Sequence, residues 1–70
     1  SNIAEGAERV SVREFSRFLY IARGSAAELR TQLYIADKIG IINSVVARNL
    51  ISEVSEISAM IRGLAKSLKT

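Results

Sequence analysis

The stretch FSRFLYIARGSAAELRTQLYIA, residues 15–36, decides the fold. Its apolar residues recur at alternating spacings of four and three residues, which places them on one face of a helix. Proline is absent from the whole chain, so no residue forces a break in a helix. The stretch therefore predicts a long amphipathic helix and an all-α protein. The repeat consists of Phe15, Leu19, Ala22, Ala26, Leu29, Leu33 and Ala36.

Local signals predict where this helix begins and ends. Ser11 and Glu14 have the spacing of a capping box, in which each side chain accepts the other residue's free backbone N–H. Gly40 suits the C′ position after the last turn, because glycine tolerates a positive φ. We therefore expect a helix over residues 12–39. Upstream, Gly6 predicts the end of an earlier helix.

A second helix is predicted over residues 44–69. Asn43, or Ser44 beside it, supplies a side-chain oxygen that can cap the first turn. A link of about four residues predicts an antiparallel hairpin. The apolar repeat that we expect on its inner face consists of Leu50, Val54, Ile57, Ile61, Leu64 and Leu68.

The apolar surface is wider than a hairpin can bury. Phe18, Ile21 and Ile39 lie on one side of the first repeat, whereas Tyr20 and Tyr34 lie toward the other. A chain of 70 residues buries only about 60% of its unfolded surface, and without cysteine it has no disulfide to stabilise it. We therefore expect further helices, supplied by additional chain or by other subunits.

The composition argues against several functions. Histidine and cysteine are both absent, which removes the usual ligands of zinc, haem and iron–sulfur sites. The seven carboxylates have no spacing typical of acid–base catalysis. We expect no catalytic residues, no metal and no cofactor. Apolar runs are far shorter than the roughly 20 residues that a membrane span needs, and we expect a cytoplasmic protein.

Basic residues are the main candidates for a functional site. Ten Lys and Arg against seven Asp and Glu give a net charge of +3. Some basic residues recur every four residues and others at multiples of seven, so they line helix faces. Such faces are solvated surface, a site for nucleic-acid phosphates, or a contact between subunits. The candidates are Arg9, Arg13, Arg17, Arg48, Arg62, Lys66 and Lys69.

Three residues of the deciding stretch have other predicted roles. Glu28 falls on the side that we expect to be covered, so it should form a salt bridge or a helix-terminal contact. Arg23 is predicted to stack on an aromatic ring or to hold an interface. Gly24 lies among small residues, which indicates close helix packing rather than an approaching ligand.

Several of these residues together resemble one known family. The matching segments are NIAEG at 2–6, EF at 14–15, RFLYIARGS at 17–25, EL at 28–29 and TQL at 31–33. Residues 57–58, 63–64 and 66–68 add to the likeness. In combination they resemble the four-helix-bundle proteins encoded in intervening sequences of 23S ribosomal RNA genes.

The resemblance implies an up-and-down four-helix bundle in which NIAEG closes the second helix. Residues 1–70 then correspond to a single helical domain that forms the C-terminal half of a bundle, with the first helices expected in preceding chain. Family members assemble into rings, typically pentamers. Some relatives are accessory proteins of diversity-generating retroelements, in which a basic pentamer engages nucleic acid and a reverse transcriptase.

Two functions remain open at this point. The first is a non-enzymatic, oligomeric bundle protein that associates with RNA or DNA through Arg and Lys side chains. The second is a structural or protein-interaction scaffold whose charges only set subunit pairing. Two tyrosines offer little stacking surface, so base-specific reading is not expected in either case.

Overall fold

The chain forms a hairpin of two helices. The computed structural model describes the backbone of residues 2–68 and the side chains of residues 11–68. Helix α1 runs from Asn2 to Lys38 and helix α2 from Ser44 to Ser67, and no strand occurs in the described part of the chain. The hairpin measures 57 × 15 × 13 Å. The predicted all-α class and both long helices are therefore confirmed, and α2 begins where the sequence placed it.

The beginning of α1 differs from the prediction. The helix continues without interruption through Gly6 and Ser11, so the predicted helix end at Gly6 and the new start at Ser11 are both wrong. An interior glycine costs only about 1 kcal/mol relative to alanine, and the surrounding Ala, Glu and Arg residues are strong helix formers. Continued backbone hydrogen bonding outweighs the two short capping bonds that a break at Ser11 would gain.

The connection between the helices follows its local signals closely. Gly40 has a φ of 80°. Its N–H donates to the carbonyl of Asp37 at 3.1 Å, and the Ile41 N–H donates to the carbonyl of Ala36 at 3.1 Å. These two bonds form a Schellman motif, in which a left-handed residue satisfies the last helical carbonyls. Gly40 thus ends α1 as predicted.

Asn43 is the residue that caps α2. Its Oδ1 accepts hydrogen bonds from the backbone N–H groups of Val45 at 2.8 Å and Val46 at 3.2 Å. Ser44, the alternative cap, instead donates its hydroxyl to Asp37 Oδ1 at 2.6 Å. The Ser44 bond ties the start of α2 to the last turn of α1. The connection therefore has a defined geometry that holds the two helices in register.

The contact between the helices uses smaller residues than predicted. On α1 the buried or half-buried positions include Leu19, Ala22 and Ala26, as expected. On α2 the repeat facing α1 is displaced by one residue at every second position. Its members are Ala47, Ile51, Val54, Ser58, Ile61, Ala65 and Leu68. Ala47 is completely buried, so α2 approaches α1 closely there.

The displaced residues leave a broad apolar surface on one side of the hairpin. Leu50, Ile57 and Leu64, which we expected in the contact, are between 37% and 47% exposed. Phe18 and Leu29 of α1 lie on the same side, because in an antiparallel pair the corresponding flanks face the same way. We call this surface the apolar face; it consists of Phe18, Leu29, Val46, Leu50, Ile57 and Leu64.

The N-terminal part of α1 projects beyond α2. The first helix has 37 residues and the second has 24. Leu19 and Ala65 lie at one level, since both line the same depression. Residues before about 16 therefore have no part of α2 beside them, which explains why Phe15 is 45% exposed although it belongs to the predicted repeat. Neither α1 nor α2 is long and apolar enough to cross a membrane.

The accessible surface is large for the mass of the chain. It amounts to 5794 Å² for 7.7 kDa, whereas a compact monomer of that mass exposes about 4,300 Å². The radius of gyration is 16.8 Å, compared with about 11 Å for a compact domain of this length. Part of this excess surface follows from the elongated shape of the hairpin. The apolar face is exposed surface that an additional partner could cover.

Candidate nucleic-acid interface

The side of the hairpin opposite the apolar face is rich in positive charge. With about 100° of rotation per residue, Arg23 and Arg30 lie on one flank of α1, and three cations of α2 lie on the adjoining flank. All of them are exposed. We call this surface the basic face; it consists of Arg23, Arg30, Arg48, Arg62 and Lys66. Glu14 and Glu53 lie on the flank that carries the apolar face instead.

Three of these cations surround one depression between the helices. Arg23 reaches it from α1, and Arg62 and Lys66 reach it from α2. The depression has a volume of about 420 Å³, and its remaining lining is Ala59, Gly63 and Ala65. No acidic side chain is among these lining residues. The depression is therefore a concave, positively charged site that is open to solvent.

The like charges around the depression destabilise the chain slightly when it is alone. Arg62 and Lys66 are four residues apart on one helix, a spacing at which like charges cost about 0.2–0.5 kcal/mol. Lys66 gains from its place in the last turn of α2, where the helix dipole favours a cation. The approach of Arg23 from the other helix has no such compensation. An anion held between the three would remove the repulsion.

Two helix-interior glycines lie beside these cations. Gly63 lines the depression, and Gly24 lines a neighbouring hollow with Arg23 and Tyr20. A Cβ built on either glycine would meet nothing within 4 Å. Each glycine costs about 1 kcal/mol relative to alanine, and packing inside this hairpin does not require it. Helix α2 therefore does not pack closely against Gly24. The space beside both glycines could hold a group from a ligand or from another chain.

The other predicted basic residues are spread along the molecule. Arg13 and Arg17 are exposed on the outer side of α1, near and beyond the end of α2. Arg48 belongs to the basic face but lies 14 residues from Arg62, roughly 21 Å along the helix at 1.5 Å per residue. The side chain of Arg9 and the whole of Lys69 lie outside the described residues. Among the predicted basic residues whose side chains the structure describes, Arg62 and Lys66 are therefore the two that it brings together.

Arg23 and Arg30 are the two cations of the basic face that the basic-residue pattern missed. Arg23 was predicted to stack on an aromatic ring or to hold an interface, and both alternatives stay predictions. It lines one hollow with Tyr20 and the depression with Arg62 and Lys66, which are about 40 residues away in the sequence. Arg30 lies seven residues after Arg23 on the same helix face, and that spacing was the available signal. Tyr20 and Tyr34 occupy this side as well, both of them exposed.

Glu28 is exposed in this chain. It lines a shallow hollow with Ala27, Thr31 and Gln32 on the outer side of α1. The Thr31 hydroxyl donates to the Ala27 carbonyl at 3.1 Å, so it does not engage the carboxylate. The predicted contact of Glu28 with a covering segment stays a prediction. Among the described residues, no group of three or more His, Cys, Asp or Glu could hold a metal ion.

Comparison with known proteins identifies the family. No curated protein and no solved structure is matched by this chain. The model of the 23S rRNA-intervening sequence protein family matches residues 1–63, which is nearly the whole chain. The matched region includes all of α1, the connection and most of α2, with Arg23 and Arg62 inside it. The chain therefore belongs to the 23S rRNA-intervening sequence protein family.

Proposed function

We propose that this chain is a non-enzymatic, oligomeric subunit that binds RNA or DNA phosphates through its basic face and other helices through its apolar face. The observation that carries the proposal is the segregation of the two surfaces onto opposite sides of one hairpin. A subunit built this way can bury one side in an assembly and still present its cations to a ligand. We further propose a cytoplasmic location.

The surface area supports the oligomeric part of the proposal. The excess over a compact monomer is about 1,500 Å², whereas each partner in a standard protein interface buries about 800 Å². One additional hairpin could therefore be accommodated with area to spare for another neighbour. The family resemblance implies a ring of five subunits with a four-helix-bundle arrangement. Such a ring would bury this surface against neighbouring helices.

Charge supports the nucleic-acid part. A single chain has a net charge of only +3, but five copies in a ring would have about +15, enough for salt-sensitive binding without sequence preference. The description of the family refers to an intervening sequence of 23S ribosomal RNA, so RNA is the appropriate probe. The absence of His and Cys from the sequence supports a role without catalysis.

An RNA titration at two salt concentrations tests the proposal. If all five cations of the basic face contact single-stranded RNA phosphates, the affinity falls up to about 100-fold between 50 and 200 mM salt. Light scattering on the same sample gives the molar mass, which we expect to be a multiple of 7.7 kDa. Absence of binding at 50 mM salt, in a chain that still assembles, would leave the scaffold function in place of this one.

Variants separate assembly from binding. Replacing Arg48 and Arg62 by Gln removes two cations of the basic face and leaves the apolar face unchanged, so RNA affinity should fall while the molar mass stays the same. Replacing Leu50 and Leu64 by Gln should have the opposite primary effect, since both side chains belong to the apolar face. If the arginine variant loses assembly and the leucine variant does not, the two faces have been assigned the wrong way round.

A further inference from the structure

We infer that the depression lined by Arg23, Arg62 and Lys66 binds a single phosphate group, contacted by cations from both helices at once. This inference rests on the proposed function and goes beyond it, because it assigns one phosphate to one site instead of spreading contacts over a face. It rests on three observations: the convergence of the cations, the small residues beneath them and the open space at Gly63.

The cations are suited to phosphate in complementary ways. A guanidinium presents a planar set of N–H donors that matches two phosphate oxygens, and Arg23 and Arg62 offer one such group from each helix. Lys66 adds a compact charge with three donors. Acidic side chains are absent from the lining, so no carboxylate competes with the ligand for these donors.

The lining leaves room for the phosphate to approach the helix backbone. Ala59, Gly63 and Ala65 have the smallest side chains or none, and the position beside Gly63 is unoccupied within 4 Å. A phosphodiester carries a sugar on each side, so a shallow and open depression suits it better than an enclosed cavity. The exposure of all three cations allows them to turn toward the ligand.

The dipole of α2 disfavours a phosphate at this site, but its effect is smaller than that of the three cations. The depression lies near the C-terminal end of α2, where the helix contributes roughly half a negative charge. Three full positive charges surround the same site. Their attraction for a phosphate exceeds the repulsion from the dipole, which acts mainly over the last turn.

A double-mutant cycle in RNA binding tests whether one phosphate is shared. Arg23→Gln and Arg62→Gln should each lower the affinity about fivefold, and the double variant should lose clearly less than the product of the two losses. The matched control is Arg48→Gln combined with Arg62→Gln. These residues lie on the same face of the same helix roughly 21 Å apart, so their losses should multiply.

The salt dependence provides a second readout. If Arg23 and Arg62 share one phosphate, the double variant reduces the slope of log affinity against log salt by at most about 0.7 for single-stranded RNA, because no more than one phosphate contact is lost. Two separate phosphates would reduce it by about twice that amount. If Arg23 and Arg62 behave additively in both measurements while the wild-type chain binds RNA, the shared site is refuted and the proposed function stands. If the wild-type chain binds no RNA, both fall.

Blocking the depression tests the site without changing its charge. Gly63→Leu places a side chain over the floor and raises helix propensity, so the chain should fold and bind RNA about as weakly as Arg62→Gln. Asn49→Leu, at an exposed position of α2 outside the depression, is the control and should bind RNA normally. Unchanged binding in Gly63→Leu would overturn the assignment.

Amide NMR spectra distinguish free phosphate from nucleic acid as the source of the group. We expect the Gly63 amide signal to shift with a short single-stranded RNA and, at much higher concentration, with inorganic phosphate. Arg62→Gln should weaken both effects. Equal response to inorganic phosphate and RNA at equal concentration would identify the site with the free ion and overturn the nucleic-acid assignment. No shift at Gly63 with either probe would overturn the site itself.

Discussion

Two isoleucines of α2 offer a matched test of whether the apolar face is covered. Ile51 is 9% exposed in the contact with α1, whereas Ile57 is 47% exposed on the apolar face. Both are in the interior of the same helix, and truncation to alanine removes the same atoms. Ile51→Ala should cost about 3 kcal/mol of the free energy of unfolding, the value for a buried site.

The cost of Ile57→Ala depends on what lies over it. In an isolated hairpin about half of the side chain already contacts water, so truncation should cost about 1 kcal/mol. In an assembly that covers the apolar face, the cost should approach that of Ile51→Ala, about 3 kcal/mol. We expect the larger value, because the proposed assembly covers the apolar face and the accessible surface of 5794 Å² exceeds the roughly 4,300 Å² of a compact monomer.

Urea unfolding at several protein concentrations measures both effects. If folding is coupled to assembly, the unfolding midpoint rises with concentration, and Ile57→Ala lowers it and weakens the concentration dependence. Ile51→Ala serves as the control, since it weakens the hairpin itself. A midpoint that does not change with concentration, together with a loss of only about 1 kcal/mol for Ile57→Ala, would refute the reasoning that leads to an oligomer.

Three further predictions concern the helix ends and one glycine. Asn43→Ala removes both capping bonds of α2 and should cost about 1–2 kcal/mol in urea unfolding, with Ser44→Ala as a weaker comparison. Gly40→Ala forces a Cβ into a left-handed conformation and should cost about 1–2 kcal/mol, measured in the same way. Gly24→Ala should stabilise the chain by about 1 kcal/mol, a rise in melting temperature of about 4–8 °C by circular dichroism, because its Cβ meets only open space. Destabilisation by Gly24→Ala would indicate instead that a neighbouring subunit packs against that glycine.

The sequence predicts the connection between the helices well because its signals are decided locally. Gly40 adopts the positive φ that only glycine tolerates easily, and Asn43 accepts the two first-turn N–H groups within three residues of itself. The signal at Ser11 is just as local, yet the helix passes through it. A capping box competes with continued backbone hydrogen bonds. Because no proline or other strong breaker is present, the helix continues through Ser11.

The contact face of α2 could be predicted only in part because two repeats fit the same pattern. Val54, Ile61 and Leu68 belong to both, three other positions differ by one residue, and position 47 belongs only to the observed repeat. A hydrophobic pattern places the larger residues at 50, 57 and 64 in the contact. Two helices, however, approach more closely over the small residues at 47, 58 and 65. Periodicity thus finds the helix and its apolar side, and packing decides which flank is inside.

The basic site depends on the same choice of flank. Arg62 and Lys66 are recognisable as neighbours from their spacing alone, but Arg23 joins them only because α2 packs through Ala65 and Ser58. Had Leu64 and Ile57 been inside, α2 would be rotated by roughly 50° and these cations would turn away from α1. The packing that exposes the apolar face therefore also brings together the three cations of the proposed phosphate site. Because the two surfaces lie on opposite sides, variants in one should leave the other intact, and a protein that loses both functions together would show that the hairpin itself has failed.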